Sequence, residues 1–98
     1  MSTELNPVIH VESRLRIMTV LSRLGTQEEL SFEKLRTMLD MTPGNLSAHL
    51  NKLEQAGYVA ISKTFESRKP VTYVRVTPEG EAVFQTYLKN LKELLGQN

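Results

Sequence analysis

Residues 42–59 read TPGNLSAHLNKLEQAGYV, and this stretch decides the fold. Thr42-Pro43 places a capping hydroxyl before a proline, and proline suits the first helical position because its missing amide would be unpaired there anyway. Leu46, Leu50 and Leu53 recur at i, i+4 and i+7 and make one apolar stripe. Gly57 then ends the helix, since glycine takes the left-handed backbone of a C-terminal cap without a steric penalty. The spacing predicts a helix over 43–56. The face away from the leucines carries Gly44, Ser47, Ala48, Asn51 and Gln55, with Asn45, His49 and Lys52 on its flanks.

Upstream, Ser31 is an N-cap with Glu33 in the first turn, and Phe32, Leu35, Met38 and Leu39 give a single stripe. A short helix is therefore expected to end near residue 39. Only about three residues then separate the two helices, the length of a helix-turn-helix connection. Earlier still, residues 8–24 are apolar around most of a helical wheel and only Glu12, Arg16, Thr19 and Arg23 form a polar strip. Such a helix is buried on more than one side. Gly25 closes it, and 25–30 reads as a polar connector ending in a short strand.

Downstream the period changes. Residues 58–65 and 71–76 are rich in β-branched and aromatic side chains, with Val59, Ile61 and Phe65 on one face and Val74 and Val76 on one face. Between them 66–70 forms a polar tip of five residues, stiffened by Pro70. Thr77-Pro78 repeats the cap-and-proline start and opens a last helix. Its apolar residues Val83, Phe84, Tyr87, Leu88, Leu91, Leu94 and Leu95 span an arc of about 140°, wider than the usual face of about 100°. A stripe that wide covers two surfaces. A homodimer is expected, built from Phe84, Tyr87, Leu88, Leu91, Leu94 and Leu95 together with Leu5, Val8 and Ile9.

The fold class expected is mainly α with a small β-hairpin, a winged helix-turn-helix with a long C-terminal dimerisation helix. At 98 residues the chain makes one domain over 1–98: the first helix and dimer segment over 1–24, the helix-turn-helix over 31–57, the wing over 58–76 and the last helix over 77–98. The absence of cysteine excludes a disulfide framework, thiolate zinc sites and cysteine nucleophiles. His10 and His49 alone make a poor metal cage, so no metal and no cofactor is expected. The sequence shows no phosphate-binding or dinucleotide glycine fingerprint, no HExxH and no nucleophile elbow, so no enzyme is expected. No apolar run is long enough to cross a bilayer, and the N-terminus does not read as a signal peptide. The cytoplasm is the default compartment.

The net charge of +1 hides an uneven distribution: residues 41–76 hold Lys52, Lys63, Arg68, Lys69 and Arg75 against only Glu54 and Glu66. A solvated face often carries such a surplus by chance, but beside the helix-turn-helix and the hairpin it makes double-stranded DNA the expected partner. Small side chains on the 43–56 helix permit close approach to a major-groove floor, which admits one α-helix. Asn45, Ser47, Ala48, His49, Asn51 and Lys52 are the expected base readers. Arg68 and Lys69 on the wing would lie on the backbone or in the minor groove. Ser31, Lys34, Arg36, Thr42, Gly44, Lys63 and Arg75 are expected at phosphates, which position the protein without reading sequence.

The run Leu46-Ser47-Ala48-His49-Leu50-Asn51-Lys52-Leu53-Glu54-Gln55-Ala56-Gly57-Tyr58-Val59 resembles the recognition helix and first strand of the ArsR/MarR superfamily. The resemblance extends over nearly the whole chain, through Ser13-Arg14-Leu15-Arg16-Ile17, Leu30-Ser31-Phe32 and Arg68-Lys69-Pro70. It implies a dimeric transcriptional regulator, with Ser47, Ala48, His49 and Lys52 where the family reads bases and Arg68 on the family's wing. Lacking cysteine, the chain departs from the metal-sensing ArsR members, which leaves open whether a small-molecule effector acts and which one. The rival expectation is a winged-helix protein-interaction module without DNA binding, because a fold does not fix a function.

Overall fold

A computed structural model describes residues 4–96; the two ends of the expected 1–98 span lie outside the described residues. The order is α1 (Glu12–Leu24), β1 (Leu30–Ser31), α2 (Phe32–Leu39), α3 (Pro43–Gln55), β2 (Val59–Glu66), β3 (Lys69–Val76) and α4 (Pro78–Leu94). The strands form an antiparallel sheet in the order β1-β3-β2. This is the winged-helix arrangement expected.

The three capping signals act as read. Ser31 Oγ accepts from Lys34 N, Thr42 Oγ1 from Asn45 N and Thr77 Oγ1 from Gly80 N, each satisfying an amide that a helix start leaves orphaned. The α2–α3 turn is held from several sides. Asp40 takes a left-handed φ of 53° and its amide returns to Thr37 O. Arg16 Nη2 donates to Leu39 O at 2.8 Å and Arg36 Nη1 to Met41 O at 3.4 Å. These bonds fix the angle between the helices, and so where α3 points.

Leu46, Leu50 and Leu53 sink into a core completed by Ile17, Met18, Leu21, Leu35, Val59, Val74 and Val76. Burying side chains of this size stabilises the fold by roughly 1.5–3 kcal/mol each.

The structure corrects three expectations and places one further residue. The first helix begins at Glu12, not at residue 8, because Asn6 Oδ1 accepts from the amides of Val8 (2.8 Å) and Ile9 (3.2 Å) and holds 7–9 in a turn. The wing tip has two residues, not five. β2 and β3 stay paired out to Glu66 opposite Lys69, and Ser67 and Arg68 turn the chain with φ of 52° and 66°. Phe65 shares the face of Val59 and Ile61 but is 73% exposed, since it lies beyond the body on the projecting wing. Ile9, Phe84 and Tyr87 are not interface residues: all three are buried in the protomer's own core and have no area left for a partner.

The apolar stripe of α4 therefore divides along its length. Its first half packs inward through Phe84 and Tyr87, while Leu94 and Leu95 remain exposed at the far end. The segment before α1 straps α4 to the body. Asn6 Nδ2 donates to Tyr58 Oη, His10 Nδ1 meets Tyr87 Oη at 2.8 Å, and Asn90 Nδ2 donates to Glu4 O. Among the described residues no helix is long and apolar enough to cross a membrane.

Candidate nucleic-acid interface

The outer face of α3 is open. Gly44, Asn45, Ser47, Ala48, Asn51 and Lys52 are all exposed, and none of the described residues covers them. An open groove runs between this face and the wing, lined by Ser47, Ala48 and Asn51 on one side and by Ile61, Lys63 and Thr72 on the other. Strand alternation puts Lys63 there: it shares a face with Val59 and Ile61, and opposes Thr72 in the register. Phe32, Glu54, Ile61 and Thr72 belong to this groove and were missed by the sequence reading. Glu54 follows Ser47 by seven residues, two helical turns on, so its placement was legible; Thr72 needed the register.

Two expected phosphate ligands are placed elsewhere. Arg75 alternates with the buried Val74 and Val76, so it leaves from the sheet face away from α3 and lines a polar recess with Thr26, Gln27, Glu28 and Glu29. Arg36 is engaged in the turn, in an ion pair with Glu33 at 3.0 Å besides its bond to Met41 O. His49, expected as a base reader, stands away from the centre of the open face. It is half-buried on the α1 flank of α3, where burial and then the nearby Arg14 charge hold its imidazole below the usual 6.5. Lys34, Lys63, Arg68 and Lys69 remain exposed, with Arg68 and Lys69 at or next to the wing tip.

The tip is strained in its backbone. Two consecutive positive φ values are the geometry of the tight hairpin turn that favours Asn-Gly, yet this chain has Ser67 and Arg68. A left-handed non-glycine residue costs roughly 1–2 kcal/mol. Arginine therefore occupies this tip at a conformational cost that glycine would not incur. Replacing Arg68 by glycine is expected to stabilise the fold by about 1 kcal/mol while weakening DNA binding and lowering its salt dependence by about one phosphate equivalent. Thermal melts and anisotropy titrations at several salt concentrations measure the two effects. Unchanged DNA binding would remove Arg68 from the interface.

A helix-turn-helix with an open small-residue face, set beside a basic two-stranded wing, defines a winged-helix DNA-binding domain. The profile of the winged helix DNA-binding domain family matches residues 13–95, and the chain belongs to that family. An uncharacterised protein of Methanocaldococcus jannaschii is 32% identical over 81 residues, which is 83% of this chain and 85% of that one. A transcriptional regulator homologue from Pyrococcus horikoshii OT3 has 31% identity and superposes with a TM-score of 0.82 over 91% of this chain and 85% of its own. NadR, solved in complex with 4-hydroxyphenylacetate, shares the fold at 23% identity, with a TM-score of 0.69 over 92% of this chain and 64% of its own.

Proposed function

We propose that the protein is a homodimeric, sequence-specific transcriptional regulator that sets α3 of each protomer in a DNA major groove. One observation carries this reading: the centre of the outward face of α3, Ser47-Ala48-Asn51, is small or polar and exposed beside the lysine-bearing face of the wing, with Glu54 the one acidic side chain lining that groove among the described residues. Asn45, Ser47, Ala48 and Asn51 read bases, while Lys52, on the flank of the helix, reaches the backbone. Asn51 is suited to pair with adenine and Ala48 to touch a thymine methyl. Lys34, Lys63, Arg68 and Lys69 hold phosphates, as do the exposed N-terminal turns at Ser31 and at Thr42-Gly44. The similarity to the Pyrococcus regulator homologue supports the regulatory role.

The dimer uses Leu88, Leu91, Leu94 and Leu95, joined by Leu5 and Val8. Leu94 and Leu95 are 56% and 61% exposed in the protomer, and a stripe of that kind on a lone chain invites association. Two-fold pairing would present the α3 helices to half-sites about 34–36 Å apart, one turn of duplex. On this reading the protein acts in the cytoplasm, on double-stranded DNA.

Selection of bound sequences from a random duplex library, followed by anisotropy across a salt series, tests the reading. A palindromic consensus and a steep fall of affinity with salt are expected, because phosphate contacts release counterions. No binding to any duplex at low salt would favour the protein-interaction module instead.

A further inference from the structure

A second group of cationic side chains lies on the flank of α3 opposite the wing. A shallow trough there is lined by Pro7, Val8, Arg14, Lys52, Gln55 and Ala56, with no carboxylate among them. Arg14 comes from α1 and is half-buried. Its Nε donates to the carbonyl of Val8, which fixes the guanidinium plane. That bond uses one of five N–H donors, and the Nη groups have no acceptor among the described residues. Lys52 makes no ion pair among the described residues either. His49, one turn before Lys52 on α3, feels the Arg14 charge. The N-terminal segment contributes only Pro7 and Val8 to the trough, and neither is charged.

The dimensions of the partner give these groups a role. An α-helix with its side chains is about 10–12 Å across, and the major groove is about 12 Å wide. A helix seated in it meets a phosphate ridge on each flank. The wing flank has Lys63. On the other flank the chain offers Arg14, Lys52 and His49. We infer that Arg14 is a DNA-binding residue: with Lys52 and His49 it grips a backbone phosphate on the side of α3 away from the wing, so that the helix is held from both ridges. This rests on the DNA-binding reading of α3. Guanidinium suits the task because it can give two parallel hydrogen bonds to one phosphate. Pinning Nε to the N-terminal segment also ties that strap to the DNA contact.

The test uses the full chain and its selected duplex. Arg14→Gln and Lys52→Gln are each expected to weaken binding about tenfold, equally on specific and random duplex, and to lower the slope of log affinity against log salt by about one. Arg14→Lys keeps the slope but binds more weakly than wild type, since the charge stays and the paired hydrogen bonds go. Because Arg14 also holds Val8, thermal melts of each variant accompany the titrations, and Lys52→Gln, which breaks no hydrogen bond among the described residues, stands in should Arg14→Gln unfold. His49 supplies an independent readout by proton NMR. It titrates below 6.5 in the free protein, and a phosphate seated between it and Arg14 would move its titration upward in the complex. Wild-type slope and affinity in the folded glutamine variants, or a His49 titration unmoved by duplex, would overturn the inference while leaving DNA binding by α3 intact. Failure of the wild-type protein to bind any duplex would overturn the DNA-binding reading itself.

Discussion

Replacing Gly80 by alanine is expected to destabilise the protein by about 3 kcal/mol or more, the upper range for overpacking a tight contact. A Cβ at this position would sit 2.1 Å from the carbonyl oxygen of Tyr58 and 2.8 Å from its Cα and carbonyl carbon. All three are backbone atoms, so no rotamer change can relieve the clash. The contact is the joint between the wing and α4. Thr77 N donates to Tyr58 O at 3.0 Å and Thr77 Oγ1 donates to Gly57 O at 2.6 Å. Moving α4 away to make room breaks these bonds, loosens the Thr77 cap on Gly80 N and pulls Phe84 and Tyr87 from the core. In a domain of this size a 3 kcal/mol loss lowers the melting temperature by about 12–24 °C. Gly44→Ala is the control. Nothing lies within 4 Å of a Cβ there, so that variant should melt at or slightly above the wild-type temperature. If Gly80→Ala melted within a degree or two of wild type, the close docking of α4 on Tyr58 would be wrong.

The Gly80 contact also shows where local reading ends. The sequence announces the start of α4 through Thr77-Pro78 and the end of α3 through Gly57, because capping is decided within a few residues. It does not announce that these two points touch, which is a property of the folded chain. The wing tip escaped for a different reason. Two-residue hairpin turns are recognised by asparagine and glycine, and Ser67-Arg68 offers neither, so the polar run 66–70 looks like a longer loop. The start of α1 was masked by the side chain of Asn6, which caps a turn inside an otherwise helical pattern. Arg75, by contrast, was misplaced although the signal was present: in a strand, neighbours of the buried Val74 and Val76 must face the other way.

The candidate interface divides along the same line. The open face of α3 follows from three leucines and a period of 3.6, so Ser47, Ala48 and Asn51 could be placed from sequence alone. Partners brought by other elements could not. Lys63 opposite Thr72 depends on sheet register, and Arg14 reaches the flank of α3 because α1 packs against that helix, with Val8 O holding its guanidinium there. The strained wing tip and the tight Gly80 joint are related features. The joint fixes where β2 leaves the body, and the tight turn carries the paired strands out to Arg68 without slack.

Placing a carboxylate at the centre of this surface, Ala48→Glu, is expected to weaken DNA binding by at least about 100-fold, or about 3 kcal/mol, because apposed like charges at an interface cost several kcal/mol. Ala48 is exposed and lies mid-helix, where glutamate is tolerated nearly as well as alanine, so the fold should be unaffected. The new charge would stand between two rows of phosphates as α3 enters the groove. Ala48→Gln separates size from charge, being almost identical in volume and neutral. It should lose only part of the affinity and should shift sequence preference at the contacted base pair. The deficit of the glutamate variant relative to glutamine should shrink as salt is raised, since the Debye length falls to about 8 Å at physiological ionic strength and below that at higher salt. Circular dichroism and melting confirm that both variants are folded before binding is compared. Were Ala48→Glu to bind the selected duplex as wild type does, α3 would not lie in the groove, and the outward face on which the DNA-binding reading stands would belong to some other partner.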